Sequence, residues 1–182
     1  MTRRKLSFLA VLSLLLIFSA LSLGAREKST ISQAIRLYGR GHTAACRAIL
    51  EPMCSENSMD DIAWGYMVMC LERDAAPGYQ GMVTKFLSRF PYSTLVTPVR
   101  FLYAKNLFDE HLYSEASAQY ENLDSSLLDR EDLNEYTFKK AYCDYVAGNF
   151  AEAFSGMETV SATKGSPYVT SARFFLGYMA YT

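Results

Sequence analysis

Histidine and tryptophan are nearly missing from these 182 residues, with two and one respectively, and four cysteines and five prolines are scarcely more common. His42 and His111 stand in separate stretches of chain, so no histidine-based metal site or catalytic triad can be read from them, and exposed turn positions suit both. The sequence has no His-x-x-x-His, no Cys-x-x-Cys, no Gly-x-Ser-x-Gly and no glycine-rich phosphate loop. Cys46 and Cys54 are eight apart with no histidine beside them, which argues against zinc. The acidic groups Asp60-Asp61, Asp109-Glu110 and Asp129 with Glu131-Asp132 fall where helix ends are expected, and capping or solvation explains the first and third. These absences describe a chain that is not an enzyme and needs neither metal nor cofactor.

One long apolar run is present. Leu6 to Leu23 carries no charge and follows Arg3, Arg4 and Lys5, and charge returns at Arg26. That layout is a secretory signal peptide over residues 1–25, with an uncleaved anchor as the alternative. Those residues hold three of the 18 basic side chains and none of the 19 acidic ones, so the remainder carries 15 against 19, a net charge of −4. No basic run remains, and nucleic acid is a poor partner. Membrane contact is expected only through an uncleaved N-terminal segment. An even number of cysteines in an exported chain invites a disulfide framework, but all four lie in apolar helical patterns of a chain large enough for a core. Free buried thiols are the preferred reading, and a pair such as Cys46 with Cys70 stays open.

The rest is built on a period of about 35 residues. Gly41-His42-Thr43-Ala44-Ala45-Cys46, His111-Leu112-Tyr113-Ser114-Glu115-Ala116 and Gly148-Asn149-Phe150-Ala151-Glu152-Ala153 read alike. Cys46, Ala116 and Ala153 are 70 and 37 apart, and halving the first interval predicts a fourth member at Gly81. Twelve residues before each lie Ala34, Met69, Ala104 and Ala141, and the next step reaches Gly177. Small residues at one helix position let a neighbouring helix come close. Each period reads as two helices. One runs from Thr97, as a cap with Pro98 in the first turn, to Phe108; its partner runs from about Tyr113 to Leu123. Capping-box-like starts occur at Thr30 with Gln33 and Ser58 with Asp61, and Asp129 opens another helix. Pro91 and Gly165 to Pro167 separate the pairs, and no alternating strand pattern occurs.

A helix pair of this length, with a small first-helix residue and Gly-x-aromatic-x-x-Ala at the turn, resembles the tetratricopeptide repeat (TPR). The resemblance covers residues 29 to 182, is good in the third and fourth repeats, partial in the first and weak in the second. Phe86-Leu87-Ser88-Arg89-Phe90-Pro91-Tyr92-Ser93, with Ala104 and the Tyr113–Ala116 motif, is similar to cell-envelope members of the family. Among those are Tol-Pal-associated and barrel-assembly-type repeat proteins and large repeat proteins of Bacteroidetes-type bacteria. The resemblance implies an all-α fold: an α-solenoid of about four and a half stacked antiparallel helix pairs after the signal peptide, over residues 26–182. Residues 168 to 182 would be the first helix of a fifth repeat, which suggests the N-terminal part of a longer array.

In such repeats three first-helix columns face a concave groove. Here they read Ile31, Tyr66, Phe101, Phe138 and Phe174; Ile35, Cys70, Lys105, Tyr142 and Tyr178; and Tyr38, Arg73, Phe108, Tyr145 and Tyr181. From these, Tyr66, Arg73, Phe101, Lys105, Phe108, Phe138, Tyr142, Tyr145 and Tyr178 are the candidate partner-binding residues, with inter-repeat packing as the competing role for the first column. The implied function is a protein-binding scaffold or adaptor, taking protein or peptide partners in the cell envelope. Its place would be the periplasm, or the periplasmic side of the outer membrane, of a Gram-negative bacterium. A structural N-terminal section of a larger envelope machine and a glycan-binding solenoid are the alternatives.

Overall fold

The structure, a computed structural model, describes residues 30–55 and 57–181. The signal-peptide reading of residues 1–25 lies outside the described residues. Those described are all-helical, with nine α-helices and no strand among them. Helix α1 occupies residues 30–39, α2 Thr43–Leu50, α3 Asp61–Arg73, α4 Tyr79–Arg89 and α5 Val96–Asp109. Helix α6 spans Tyr113–Glu121, α7 Arg130–Ala147, α8 Phe150–Ala162 and α9 Val169–Tyr181. The chain divides after Asp74 into two compact units. In the first, α2 packs on α3; in the second, neighbours in sequence pack together from α4 to α9, and α5 also touches α7.

Local chemistry accounts for the helix ends. Asp129 caps α7, its carboxylate accepting the N–H groups of Glu131 and Asp132 at 2.9 Å each. The cap of α3 is Asp60, which accepts from the Ala63 N–H at 2.9 Å, while Ser58 accepts from the Asp60 N–H at 3.3 Å. The expected Ser58 start is therefore displaced by two residues, because a carboxylate one position before the helix outcompetes a hydroxyl three before it. Thr97 does not cap α5 either: that helix begins at Val96, and Thr97 is buried within its first turn.

The turns repeat as closely as the helices. After α1, α5 and α7 the chain passes through a left-handed residue, Gly41 (φ 78), His111 (φ 63) and Gly148 (φ 83). In each, the next N–H reaches back five residues: His42 to Leu37, Leu112 to Leu107, and Asn149 to Asp144, at 2.8–2.9 Å. The left-handed residue itself donates to Tyr38, Phe108 and Tyr145 at 2.9–3.1 Å. This closure satisfies helix-terminal carbonyls that would otherwise face no donor. The residues five positions on, Cys46 in the first unit and Ala116 and Ala153 in the second, share one fate. All three are fully buried.

The turn before α4 departs from this. Ala75 (φ 47) and Gly78 (φ 86) bracket Ala76-Pro77, and α4 starts four residues after Ala75, against two after Gly41, His111 and Gly148. The extra residues shift the helix phase. Gly81, the expected small residue of the second repeat, is exposed, and Tyr79, Val83, Phe86 and Phe90 form the buried edge instead. Gly177 on α9 is likewise exposed.

The second unit holds two clusters. Phe101, Ala104 and Leu107 of α5 meet Ala116 and Tyr120 of α6 and Cys143 of α7. Ala141 of α7 meets Met157 and Val160 of α8 and Ala172 of α9. Each large apolar side chain removed from water contributes about 1.5–3 kcal/mol. Helix α8 also crosses α7 at Gly156, where an added Cβ would stand 2.6 Å from the Cβ of Ala141.

Candidate functional site

The nine candidate binding residues are distributed over both units, and each set has its own geometry. In the first unit Tyr66 meets Tyr38 edge-on at 5.4 Å. The Arg73 guanidinium lies 4.6 Å over the Tyr38 ring and donates to the Tyr38 carbonyl at 3.0 Å. Arg73 is thus committed to tying α3 to α1, and Tyr66 supports the same ring.

In the second unit Phe101 is 1% exposed and packs against Tyr120, so it offers no surface to a partner. Phe138 stacks on Tyr168 with centroids 4.8 Å apart and planes 17° from parallel. Lys105 is engaged as well: its Nζ meets Glu135 at 2.9 Å and lies 5.3 Å from the Phe101 ring centre. Glu135 also holds Lys139 at 3.1 Å, and Lys139 reaches Asp109 at 2.8 Å while sitting 4.8 Å over the Phe108 ring. This alternating chain of charge ties α5 to α7. A buried lysine balanced by two carboxylates and a ring face has its desolvation largely repaid. Phe101, Phe138 and Lys105 are therefore engaged in packing and pairing between helices.

The other four candidates, Phe108, Tyr142, Tyr145 and Tyr178, form one connected aromatic face. Phe108 and Tyr113 each lie 5.3 Å from Tyr142. Tyr142 lies 5.3 Å from Phe175, which lies 5.5 Å from Tyr145. Tyr145 in turn contacts Tyr178 at 6.2 Å and Phe150 at 5.9 Å. Most of these pairs are edge-to-face, the arrangement that ring quadrupoles favour. Desolvation among the rings holds the Tyr142 and Tyr145 phenols above their usual range, and hydrogen bonds with Tyr113 and Tyr178 add to it. Toward α9 the face opens: Tyr178 is 50% exposed and Phe174 68%.

Three members of this face were not among the candidates. Tyr113 and Phe150 are the aromatic residues of the turn motif, so their signal was present but was read as turn chemistry alone. Phe175 stands one residue beyond the column at Phe174 and was missed because the column, taken as exact, put its neighbour in the groove.

Clefts elsewhere in the second unit are open and polar-rimmed. One is lined by Tyr136, Lys140 and Asp144 of α7 with Glu152 and Ser155 of α8, and there Lys140 pairs with Asp144 at 2.9 Å. Among the described residues no group of three or more His, Cys, Asp or Glu side chains is placed to hold a metal ion, and no helix is long and apolar enough to cross a membrane. His42 and His111 are both exposed, and His111 Nδ1 pairs with the Tyr113 hydroxyl at 2.9 Å. No protein-family model, curated protein or solved structure matches this chain.

Proposed function

We propose that this chain is an exported, non-enzymatic helical-repeat adaptor of TPR type, stacked as an α-solenoid, which binds an extended peptide or partner domain in the Gram-negative cell envelope. The observation that carries the reading is the connected aromatic face from Phe108 to Tyr178, open at Tyr178 and Phe174. Large rings with two side-chain torsions lose little entropy on binding, and tyrosine adds a hydroxyl for a backbone carbonyl or amide. A recurring left-handed turn closed by the same pair of backbone hydrogen bonds supports the repeat reading. The charged apolar layout of residues 1–26 supports export. The binding set is accordingly narrower than the sequence implied: Phe108, Tyr142, Tyr145 and Tyr178, joined by Tyr113, Phe150 and Phe175.

The test is reversible cross-linking of the tagged full-length protein in its native envelope, followed by affinity purification and mass spectrometry. A Tyr145→Ser/Tyr178→Ser double variant runs in parallel. Reproducible envelope proteins that are captured by the parent and lost from the variant support the adaptor. The same proteins captured equally by both would overturn the assigned face. Capture of polysaccharide without protein would replace the adaptor with a glycan-binding solenoid.

A further inference from the structure

We infer that Cys46 and Cys70 are joined by a disulfide in the exported protein, which staples α2 to α3. All four cysteines are free thiols in the structure, and the Cys46 and Cys70 side chains are within hydrogen-bonding reach of one another. Both are 0% exposed. The two sulfurs are neighbours across the α2–α3 contact, the placement a disulfide requires.

The helices that carry the pair are held in register from the same side. Asp74, which follows α3, accepts from the Thr43 hydroxyl and from Arg47 Nη1 at 3.1 Å. Thr43 and Arg47 flank Cys46 on one face of α2, and Asp74 lies one helical turn beyond Cys70. The two helices cannot slide apart at this point without breaking the Asp74 contacts to Thr43 and Arg47.

The remaining thiols have no such partner geometry. Cys54 follows the short 3-10 turn Glu51–Met53, where burial and then the Asp60 charge push its thiol up to about 12. Cys143 is buried in the second unit with Phe101 and Tyr120.

The chemistry is a thiol–disulfide exchange with an oxidised dithiol donor, either a disulfide oxidoreductase of the export compartment or oxidised glutathione. Either cysteine, as the thiolate it forms while still exposed to solvent, starts the exchange. When Cys46 does so, it attacks one donor sulfur, the donor disulfide breaks, and one donor thiolate leaves. Cys70 then gives up its proton and attacks the Cys46 sulfur of the mixed disulfide, expelling the second donor thiolate. Two protein thiols are oxidised, one donor disulfide is reduced to two thiols, and the protons pass to the departing thiolates. Complete burial of both sulfurs requires this to happen before α2 closes on α3, during folding.

The proposal rests on the export reading, and the test separates the two. Full-length protein is unfolded, refolded in a reduced/oxidised glutathione buffer, quenched with an alkylating agent and mapped by mass spectrometry. We expect free thiols to fall from four to two per chain, one linked Cys46–Cys70 peptide, and a rise in the melting midpoint of roughly 5–10 °C over the reduced form. A Cys54→Ser/Cys143→Ser variant should keep the link and the rise. Persistence of four thiols, or linkage through Cys54 or Cys143, overturns the pairing. The same alkylation is then applied to native cells with fractionation. A linked pair in envelope material supports the proposal. A reduced pair in envelope material overturns it while export stands. A reduced pair in cytosolic material overturns it together with the export reading.

Discussion

Two helix pairs of the second unit share the same turn and are held together by opposite means. Between α5 and α6 the contact is filled by rings, with Phe101 and Tyr120 buried at 6.5 Å from one another. Between α7 and α8 the closest approach is made by the smallest side chains, Gly156 lying directly on Ala141 with Met157 and Val160 beside it. The consequence falls on the aromatics of the first helices. In α5 the ring at the first column is consumed by its own pair. In α7 the backbones are close enough that Tyr142 and Tyr145 are left to meet α9, and they form the face that opens at Tyr178.

The comparison breaks most visibly at Phe101. Phe101→Ala should lose about 3–5 kcal/mol of unfolding free energy, measured by urea titration, since a fully buried ring leaves a cavity that α6 cannot collapse into. A loss under about 1 kcal/mol would mean that the ring is not the filler of this pair. The complementary lesion is Gly156→Leu. An added Cβ alone meets Ala141 at 2.6 Å, and the atoms beyond it must move α8 away from α7. A cost of about 1–3 kcal/mol is expected. Near-ultraviolet circular dichroism should change as well, because the Tyr142–Phe175 and Tyr145–Phe175 contacts are set by that spacing. An unchanged aromatic spectrum would uncouple the small-residue contact from the face.

The sequence made the helix pairs legible because they are written in short-range terms: small residues at a fixed column, proline and glycine between pairs, an aspartate before Arg130. It misplaced the second repeat at Gly81 because the turn Ala75-Ala76-Pro77-Gly78 is longer by two, and a period counted in residues cannot see a phase shift. His111 holds a left-handed turn position that glycine occupies in its two counterparts, so the turn was recognised by its neighbours and not by its own residue type. The site was half legible. Aromatic columns are visible in one dimension, but which ring is sealed and which is spare depends on the opposing helix. Lys105 read as a groove cation because its partner Glu135, thirty residues on, could only be identified once α5 and α7 were in contact.

A smaller effect sharpens the account of the ring-filled pair. The Tyr120 hydroxyl is buried with no hydrogen-bond partner among the described residues, and burial drives its ionisation far above the usual range. If the ring holds α5 to α6 and the oxygen does not, Tyr120→Phe should raise stability by about 1 kcal/mol in the same urea titration. A loss of that size would mean that the hydroxyl is bonded in solution.

The smallest effect on stability is the one that speaks to function. Tyr178 is half exposed on α9, and its ring touches Tyr145 from the open side. Tyr178→Ser should therefore move unfolding by no more than about 0.5 kcal/mol, as exposed substitutions do. Loss of one aromatic anchor from a binding face costs about 2 kcal/mol or more, which is roughly 30-fold in affinity. Biolayer interferometry against the partner recovered by cross-linking separates the two quantities. A variant with parental stability and binding weakened by that factor locates the contact at the open end of the face. Parental binding would move it off the α7–α9 aromatics, and equal losses of stability and binding would show Tyr178 to be packing, as Phe101 is.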